Sequence, residues 1–264
     1  MKKLTLYERN FNAATNALLK FGDKPIEIRD VVNVFFDGIQ KPITVLKKYV
    51  PVEGRKNAII LIGQSCTGKS TYAKQFVREH PEFEYVSMDE CAIKEVETAS
   101  VIVCYSNNIL DSDIGNREFG LTLEKGKNLI IDGCWLHINS RSALLKTLRQ
   151  LGYVTCACVF QIPDEVYRSM IVYRSIQNAA REILNGNFSI EEIDWILKYQ
   201  EKYKLSRKQA IENIQSTDIF KEELKREKEG IYEEFQTSAF QNQIDSGIIF
   251  TSFDFAYAVR FEDE

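Results

Sequence analysis

Apolar residues in this chain fall into short blocks separated by helical periods, and the alternation starts at residue 58. Ala58-Ile59-Ile60-Leu61-Ile62 is a continuous apolar run, the length and composition of a strand buried on both faces. A helical period follows over 69–79, a strand over 84–88 and helical matter over 91–125. Then come a strand over 128–132, a helix over 139–151, a strand over 153–160 and a helix over 164–184. Strand and helix in turn predict an α/β fold with a parallel sheet covered by helices. Upstream, Leu6, Phe11, Ala14, Leu18 and Phe21 predict an amphipathic helix closing at Gly22. Val31–Phe36 and Ile43–Val45, punctuated by Gly38, Pro42 and Pro51, predict short strands or a hairpin. Downstream of Gly186, helical periods around 189–204 and 206–235 precede the apolar run Gly247-Ile248-Ile249-Phe250-Thr251. Residues 248–251 are expected as a late strand that joins the sheet after a helical insertion, the other reading being a separate C-terminal helical domain. The expected division is therefore an N-terminal α/β addition over 1–55 and a core domain over 56–264 with a helical insertion at about 187–240.

Composition alters this picture little. The 264 residues are 44% hydrophobic and 27% charged, an ordinary globular balance with enough chain for a large core. The opening Met1-Lys2-Lys3-Leu4-Thr5-Leu6-Tyr7-Glu8-Arg9 turns polar too early for a secretory apolar region, and no run reaches the length of a membrane span. A cytoplasmic protein with no membrane partner is expected. The cysteines at 66, 91, 104, 134, 156 and 158 lack the pair spacing of zinc sites, so free and mostly buried thiols are expected. Charge changes the picture more. Residues 1–186 hold 24 Lys and Arg against 21 Asp and Glu, whereas residues 187–264 hold 10 against 17. The first part suits a phosphate-rich ligand but lacks the strongly basic face of a protein that grips a long nucleic acid. The run 221–229, dense in Glu and Lys, reads as a solvated helix face.

The candidate chemistry begins where the first strand ends. Gly63-Gln64-Ser65-Cys66-Thr67-Gly68-Lys69-Ser70, followed by Thr71, fits G-x-x-x-x-G-K-[ST] at every fixed position. In such a loop the glycines let backbone N–H groups turn inward around phosphates, the lysine reaches the β and γ oxygens and the Ser hydroxyl ligates Mg²⁺. The helix that follows turns its positive end to the same phosphates. A nucleoside triphosphate, ATP, is the expected ligand, with Lys69 holding phosphate and Ser70 the metal. The second strand ends in Asp89 and the third in Asp132, at the sheet edge where ligands bind in α/β folds. Asp89 is placed to act as general base on an acceptor hydroxyl, or else it caps the next helix. Asp132 is the candidate second metal residue, or else it opens the Asp132-Gly133 turn. Arg174 and Arg181, seven apart, share one helix face and suit charge on transferring phosphoryl oxygens, a solvated basic face being the plainer reading. His80 and His137 have no partner pattern. Tyr105, Asn107 and Asn108 lie where an acceptor pocket would form.

Gly63–Phe76, Tyr85–Asp89, Leu129–Arg141 and Val159–Arg174 resemble, in order and spacing, the polynucleotide 5′-kinase and zeta-toxin branch of phosphate-loop kinases, an AAA-type ATP-binding kinase domain, over roughly residues 56–185. The resemblance implies a phosphate-loop three-layer fold with strand order 2-3-1-4-5, an ATP- and Mg²⁺-dependent kinase, Asp89 as base and Arg174 in a lid over the phosphates. Lys69 and Arg174 would then join Asp89 as catalytic residues. The implied acceptor is a hydroxyl, on a nucleic-acid 5′ end or nucleoside or on a sugar or other small molecule. A non-catalytic nucleotide-binding regulatory module is the reading from another class. Two positions depart from the pattern. Met170 stands where family members carry a basic residue four before the lid arginine, and Ala92 where polynucleotide kinases of this type carry an arginine. Lys94 and Arg141 are the remaining candidates for contact with an acceptor's phosphate.

Overall fold

The computed structural model describes residues 15–16, 18–20, 22–24, 43–45, 51–88, 115–136, 138–162, 164–184, 195–235, 243, 246–247 and 252–261. The chain divides into two compact units, one of residues 45–161 with 238–260 and one of residues 1–44 with 162–237 and 261–264. The strands are Ile43–Val45 (β1), Lys56–Ile62 (β2), Phe83–Ser87 (β3), Asn128–Asp132 (β4), Tyr153–Gln161 (β5) and Phe255–Phe261 (β6). The helices are Lys69–Glu79 (α1), Gly115–Glu124 (α2), Ile138–Gln150 (α3), Asp164–Ile183 (α4), Trp195–Tyr203 (α5), Arg207–Ser216 (α6) and Asp218–Phe235 (α7).

In the first unit five strands run parallel in the order β3-β4-β2-β5-β6. Counted from β2, this is the 2-3-1-4-5 order that the family resemblance implies. Alternate residues face opposite sides, so each strand must satisfy two cores. Ala58, Ile60, Ile62, Leu129, Ile131, Ala157 and Val159 pack with Phe119 and Leu123 of α2 and with Leu144, Leu145 and Leu148 of α3. On the other side α1 lies against the sheet, with Tyr72 edge-on to Phe160 at 5.6 Å and Phe76 edge-on to Phe83 at 5.1 Å. Three layers result. Ile59, Ile60, Leu61, Ile62, Ile130 and Ile131 are fully buried, each removal from water contributing about 1.5–3 kcal/mol.

The connections follow local chemistry. α2 and α3 each end beside a glycine at positive φ, Gly126 at 66° and Gly152 at 80°, whose N–H groups return to Leu123 and Arg149 carbonyls. Only glycine adopts that conformation without strain, which stops the helix and sends the chain into the next strand. Residues 248–251 lie outside the described residues, and the last sheet strand is Phe255–Phe261, paired with β5 from Cys156↔Phe255 onward. The clamp at its start is Asp254, whose Oδ2 accepts from Thr155 N–H at 2.8 Å and from the Thr155 hydroxyl at 2.7 Å.

The second unit is helical. Val172, Ile176, Ala179 and Ala180 of α4 pack with Ile196 and Tyr199 of α5, Ala210, Ile211 and Ile214 of α6, Phe220 of α7 and Leu18. The single helical period expected over 206–235 is two helices. Thr217 leaves the helix at φ −75°, ψ 151°, its hydroxyl donating to the Ile214 carbonyl at 2.6 Å and accepting from Phe220 N–H at 3.2 Å. One threonine thus closes α6 and caps α7.

Candidate functional site

The C-terminal ends of β2 and β4 place the loop and Asp132 along one edge of the sheet. β2 runs into the Gly63–Ser70 loop and the loop into α1 with no intervening residue, so the expected strand, loop and helix are all present. Gly63 is needed for close approach, because a Cβ there would lie 2.9 Å from the Phe160 Cβ. Cys66 and Gly68 take positive φ values of 63° and 85°, alternations that turn successive N–H groups toward one concavity. Thr67 is buried and its hydroxyl donates to the Gln64 carbonyl at 2.8 Å, bracing the turn. Gly63 N–H donates to the Cys134 carbonyl at 3.1 Å, which ties the loop's start to the end of β4.

Lys69 is the first residue of α1 and only 6% exposed. Its ammonium turns back into the loop and donates to the Gly63 carbonyl at 2.8 Å and the Gln64 carbonyl at 2.5 Å. Gly68, the residue before α1, makes no side-chain cap hydrogen bond, and the first turn carries no acid. Among the described residues no cap or acid takes up the N–H groups of that turn, which together with the helix dipole suit an external anion. Ser70 is exposed beside them, and Thr71 follows half-buried on α1.

Asp132 ends β4 on the same face of the sheet as α1 and is 6% exposed. In register it lies beside Ser87 of β3. Tyr85, two residues earlier on β3 and therefore on the same face, donates its hydroxyl to Asp132 Oδ2 at 3.0 Å. Asp89 lies outside the described residues, as do His137, Lys94, Tyr105, Asn107 and Asn108. Among the described residues no cluster of three or more His, Cys, Asp or Glu could hold a metal ion. A metal bound near Ser70 and Asp132 would take its remaining oxygens from phosphate and water, the usual habit of Mg²⁺. A hydroxyl, one buried carboxylate and an ammonium in an anion-receptive loop fit such an ion carried in with its phosphates.

Arg141, a candidate for contact with an acceptor's phosphate, is placed otherwise. It is 3% exposed, and its guanidinium donates to the Trp135 carbonyl at 2.7 Å, the Leu136 carbonyl at 2.9 Å and the Gln243 Oε1. Burial lowers its pKa to about 10. It holds the turn after β4, where Trp135 sits at φ 50°, a costly conformation for a bulky residue. Gly133 is part of the same turn, since a Cβ there would meet the indole Nε1 at 2.6 Å. Arg174 lies on α4 in the helical unit with its side chain exposed, and Arg181 pairs with Glu182 at 2.9 Å. Met170 is buried at 4% exposure, a core residue. His80 stacks on Phe76 at 4.4 Å and approaches Glu82 at 3.4 Å, a structural use.

Cys156 and Cys158 are buried core thiols, as expected. Burial raises both, Cys158 up to about 12. Sequence reasoning missed Tyr85 and Cys134. Tyr85 could have been found only by knowing the β3–β4 register that sets it on the Asp132 face.

The geometry defines a phosphate-loop α/β protein. Residues 59–188, just under half of the chain, match the model of a family described as an AAA domain. No curated protein matches the sequence. Among solved structures, one from work on the PezAT chromosomal toxin–antitoxin system of Streptococcus pneumoniae is 15% identical, covering 90% of this chain and 100% of its own, at a TM-score of 0.39. A gluconokinase from Sinorhizobium meliloti is 11% identical over 69% of this chain and 97% of its own, at 0.28. A shikimate kinase from Bacteroides thetaiotaomicron is 16% identical over 67% and 98%, also at 0.28. At these scores the likenesses add no argument to that from the loop and the sheet. No helix among the described residues is long and apolar enough to cross a membrane.

Proposed function

We propose that the chain is an ATP-dependent kinase that transfers the γ-phosphoryl group to a hydroxyl acceptor. The observation that carries the reading is the buried Lys69 ammonium, turned into a glycine loop at an uncapped helix start. Among the described residues this cation is held by loop carbonyls, and a phosphate is a stronger partner that would draw it off Gly63 and Gln64. Residues Gly63 to Thr71 would surround the triphosphate, and Ser70 and Asp132 would hold Mg²⁺. When bound there, the ion would supply neutralising charge to the phosphates. Asp132 would enter already oriented, because Tyr85 fixes one of its oxygens. Asp89, two residues beyond the end of β3 in sequence, is proposed as the base that takes the acceptor's proton, and Arg174 as the guanidinium that stabilises charge on the transferring group. The resemblance to polynucleotide 5′-kinases slightly favours a nucleic-acid 5′ end or nucleoside as acceptor, with a sugar hydroxyl next. The domain cut at 55/56 and a cytoplasmic location belong to the same proposal.

The test is transfer from labelled ATP to a panel of 5′-hydroxyl oligonucleotides, nucleosides and amino sugars. Asp89→Asn should reduce transfer by at least about a hundredfold, the scale of a lost general base, while ATP affinity stays within a few fold. Transfer retained by that variant removes Asp89 from the base role. ATP binding with transfer to no acceptor would favour a regulatory module.

A further inference from the structure

The acidic stretch 187–264 carries its cations unevenly. Five of its ten basic residues, Lys198, Lys202, Lys204, Arg207 and Lys208, fall within 195–208, where Glu201 is the one carboxylate. Lys198, Lys202, Lys204 and Lys208 are exposed. They stand on α5, on the turn after it and on the first residues of α6, all within the helical unit.

That corner is rigidly built. Arg207 is 1% exposed, its Nε donating to Gln200 Oε1 at 2.6 Å and its Nη2 to the Lys24 carbonyl at 2.7 Å. Asp23 Oδ1 accepts from Gln200 Nε2 at 2.9 Å and from Arg207 N–H at 2.5 Å. The exposed Lys24 is thereby drawn to the same corner, and the Asp23 carboxylate is spent on it. A capping box between Ser206 and Gln209 fixes the start of α6. Glu212 stands 4.0 Å from Lys208, which leaves Glu201 as the carboxylate nearest the α5 lysines in sequence.

Aromatic rings lie among these cations. Lys198 Nζ is 4.7 Å from the centre of the half-buried Trp195 ring. Lys202 Nζ is 5.3 Å from the Tyr203 ring, which is 43% exposed and backed by Tyr199 at 4.6 Å. Cation–ring contacts at exposed sites are weak. A lysine can leave its ring for a phosphate and free the face for a base.

We propose that this α5–α6 corner binds single-stranded nucleic acid, its lysines on successive phosphates and Tyr203 stacking on a base. The partner must supply repeated negative charge and a flat apolar face together. An acidic peptide supplies only the first, a duplex keeps its bases inside, and a single strand offers both. The surface needs neither nucleotide nor phosphate transfer, so it stands or falls apart from the kinase reading.

The experiment is fluorescence anisotropy of the full chain with a 12-nucleotide single strand whose 5′ end is blocked by the fluorophore. Lys198→Glu combined with Lys202→Glu and Lys204→Glu should weaken binding at least tenfold and flatten the salt dependence by a slope of about two. Tyr203→Ala should weaken binding about threefold to tenfold with the salt slope unchanged. Lys69→Ala should bind as the unaltered chain does, and circular dichroism should show each variant folded. If a charge-reversed variant is misfolded, Lys198→Ala with Lys202→Ala is used in its place. Absence of binding, equal binding of poly-L-glutamate or of a duplex of the same length, or indifference to Tyr203→Ala would each overturn the proposal.

Discussion

The Tyr85 hydroxyl donates to a buried carboxylate, and that bond orients Asp132 and how it presents its other oxygen. Removing the hydroxyl leaves the ring and the strand in place but frees the carboxylate to rotate. Outer partners of metal-binding carboxylates typically contribute about ten- to a hundredfold in affinity. On the proposed role of Asp132 in holding Mg²⁺, ATP affinity of Tyr85→Phe measured with Mg²⁺ should fall about tenfold, while affinity measured in EDTA should stay unchanged. Equal loss under both conditions would mean that Tyr85 serves only the packing of β3. Arg141 is the contrasting residue, because its charge is buried and its donors are used inside the protein. Arg141→Leu leaves the Trp135 and Leu136 carbonyls without their donor and relaxes the turn at Trp135. A loss of about 3 kcal/mol is expected, read as a lower urea midpoint with red-shifted indole emission. An unchanged midpoint would return Arg141 to the list of phosphate contacts.

Asp254 acts at the level of the strand it begins. Burial alone would raise its pKa, but the two hydrogen bonds from Thr155, with Arg149 and Arg55 nearby, bring it below the ordinary carboxylate value. Glu84 is likewise lowered, by its hydrogen bond to Lys125 first and, against a smaller effect of burial, by Lys127. A depressed folded pKa gives stability that is full above the unfolded value near 4 and is lost as pH falls through the folded value. Urea midpoints between pH 7 and 3 should fall more steeply for the unaltered chain than for Asp254→Asn, which starts lower. Parallel curves would remove Asp254 from the acid response. Among the described residues from 56 to 184, strands and helices were legible because each is either apolar throughout or periodic, and Gly126 and Gly152 mark where helices stop. The loop was legible because its chemistry is local, Gly63 to Ser70. What was not legible depends on pairing across the chain: the Tyr85 bond to Asp132, the Arg141 reach to Gln243, and the pairing of Phe255–Phe261 along the edge of β5. The break at Thr217 escaped because a helix-compatible period runs through it and only the threonine side chain ends it.

The sheet unit is assembled from two distant pieces of chain, 45–161 and 238–260, and the second piece is not ornamental. β6 pairs with β5 from Cys156↔Phe255 to Gln161↔Arg260, covering the edge of the longest strand. The Tyr257 hydroxyl lies 3.0 Å from that of Tyr72 on α1, so the last strand also braces the helix that begins at Lys69. Burial of that pair, beside the Cys158 thiol, raises both phenols and keeps them neutral. Phe253 joins the core shared by α2 and α3, and Arg149 Nη2 donates to the Ser252 carbonyl at 2.6 Å. A chain ending at residue 240 would retain Gly63 to Ser70 in full and lose all of these contacts. It would expose β5 as an unpaired apolar edge, which favours association with other chains. The expected outcome is a protein that keeps far-ultraviolet helicity, loses near-ultraviolet dichroism, binds ANS and shows no thermal shift with Mg²⁺ and ATP. The full chain, at ATP a hundredfold above its dissociation constant, should instead gain about 2.7 kcal/mol. A shortened chain that melts cooperatively and still responds to ATP would show that β2, β3, β4 and β5 alone hold the loop, and that β6 serves another purpose.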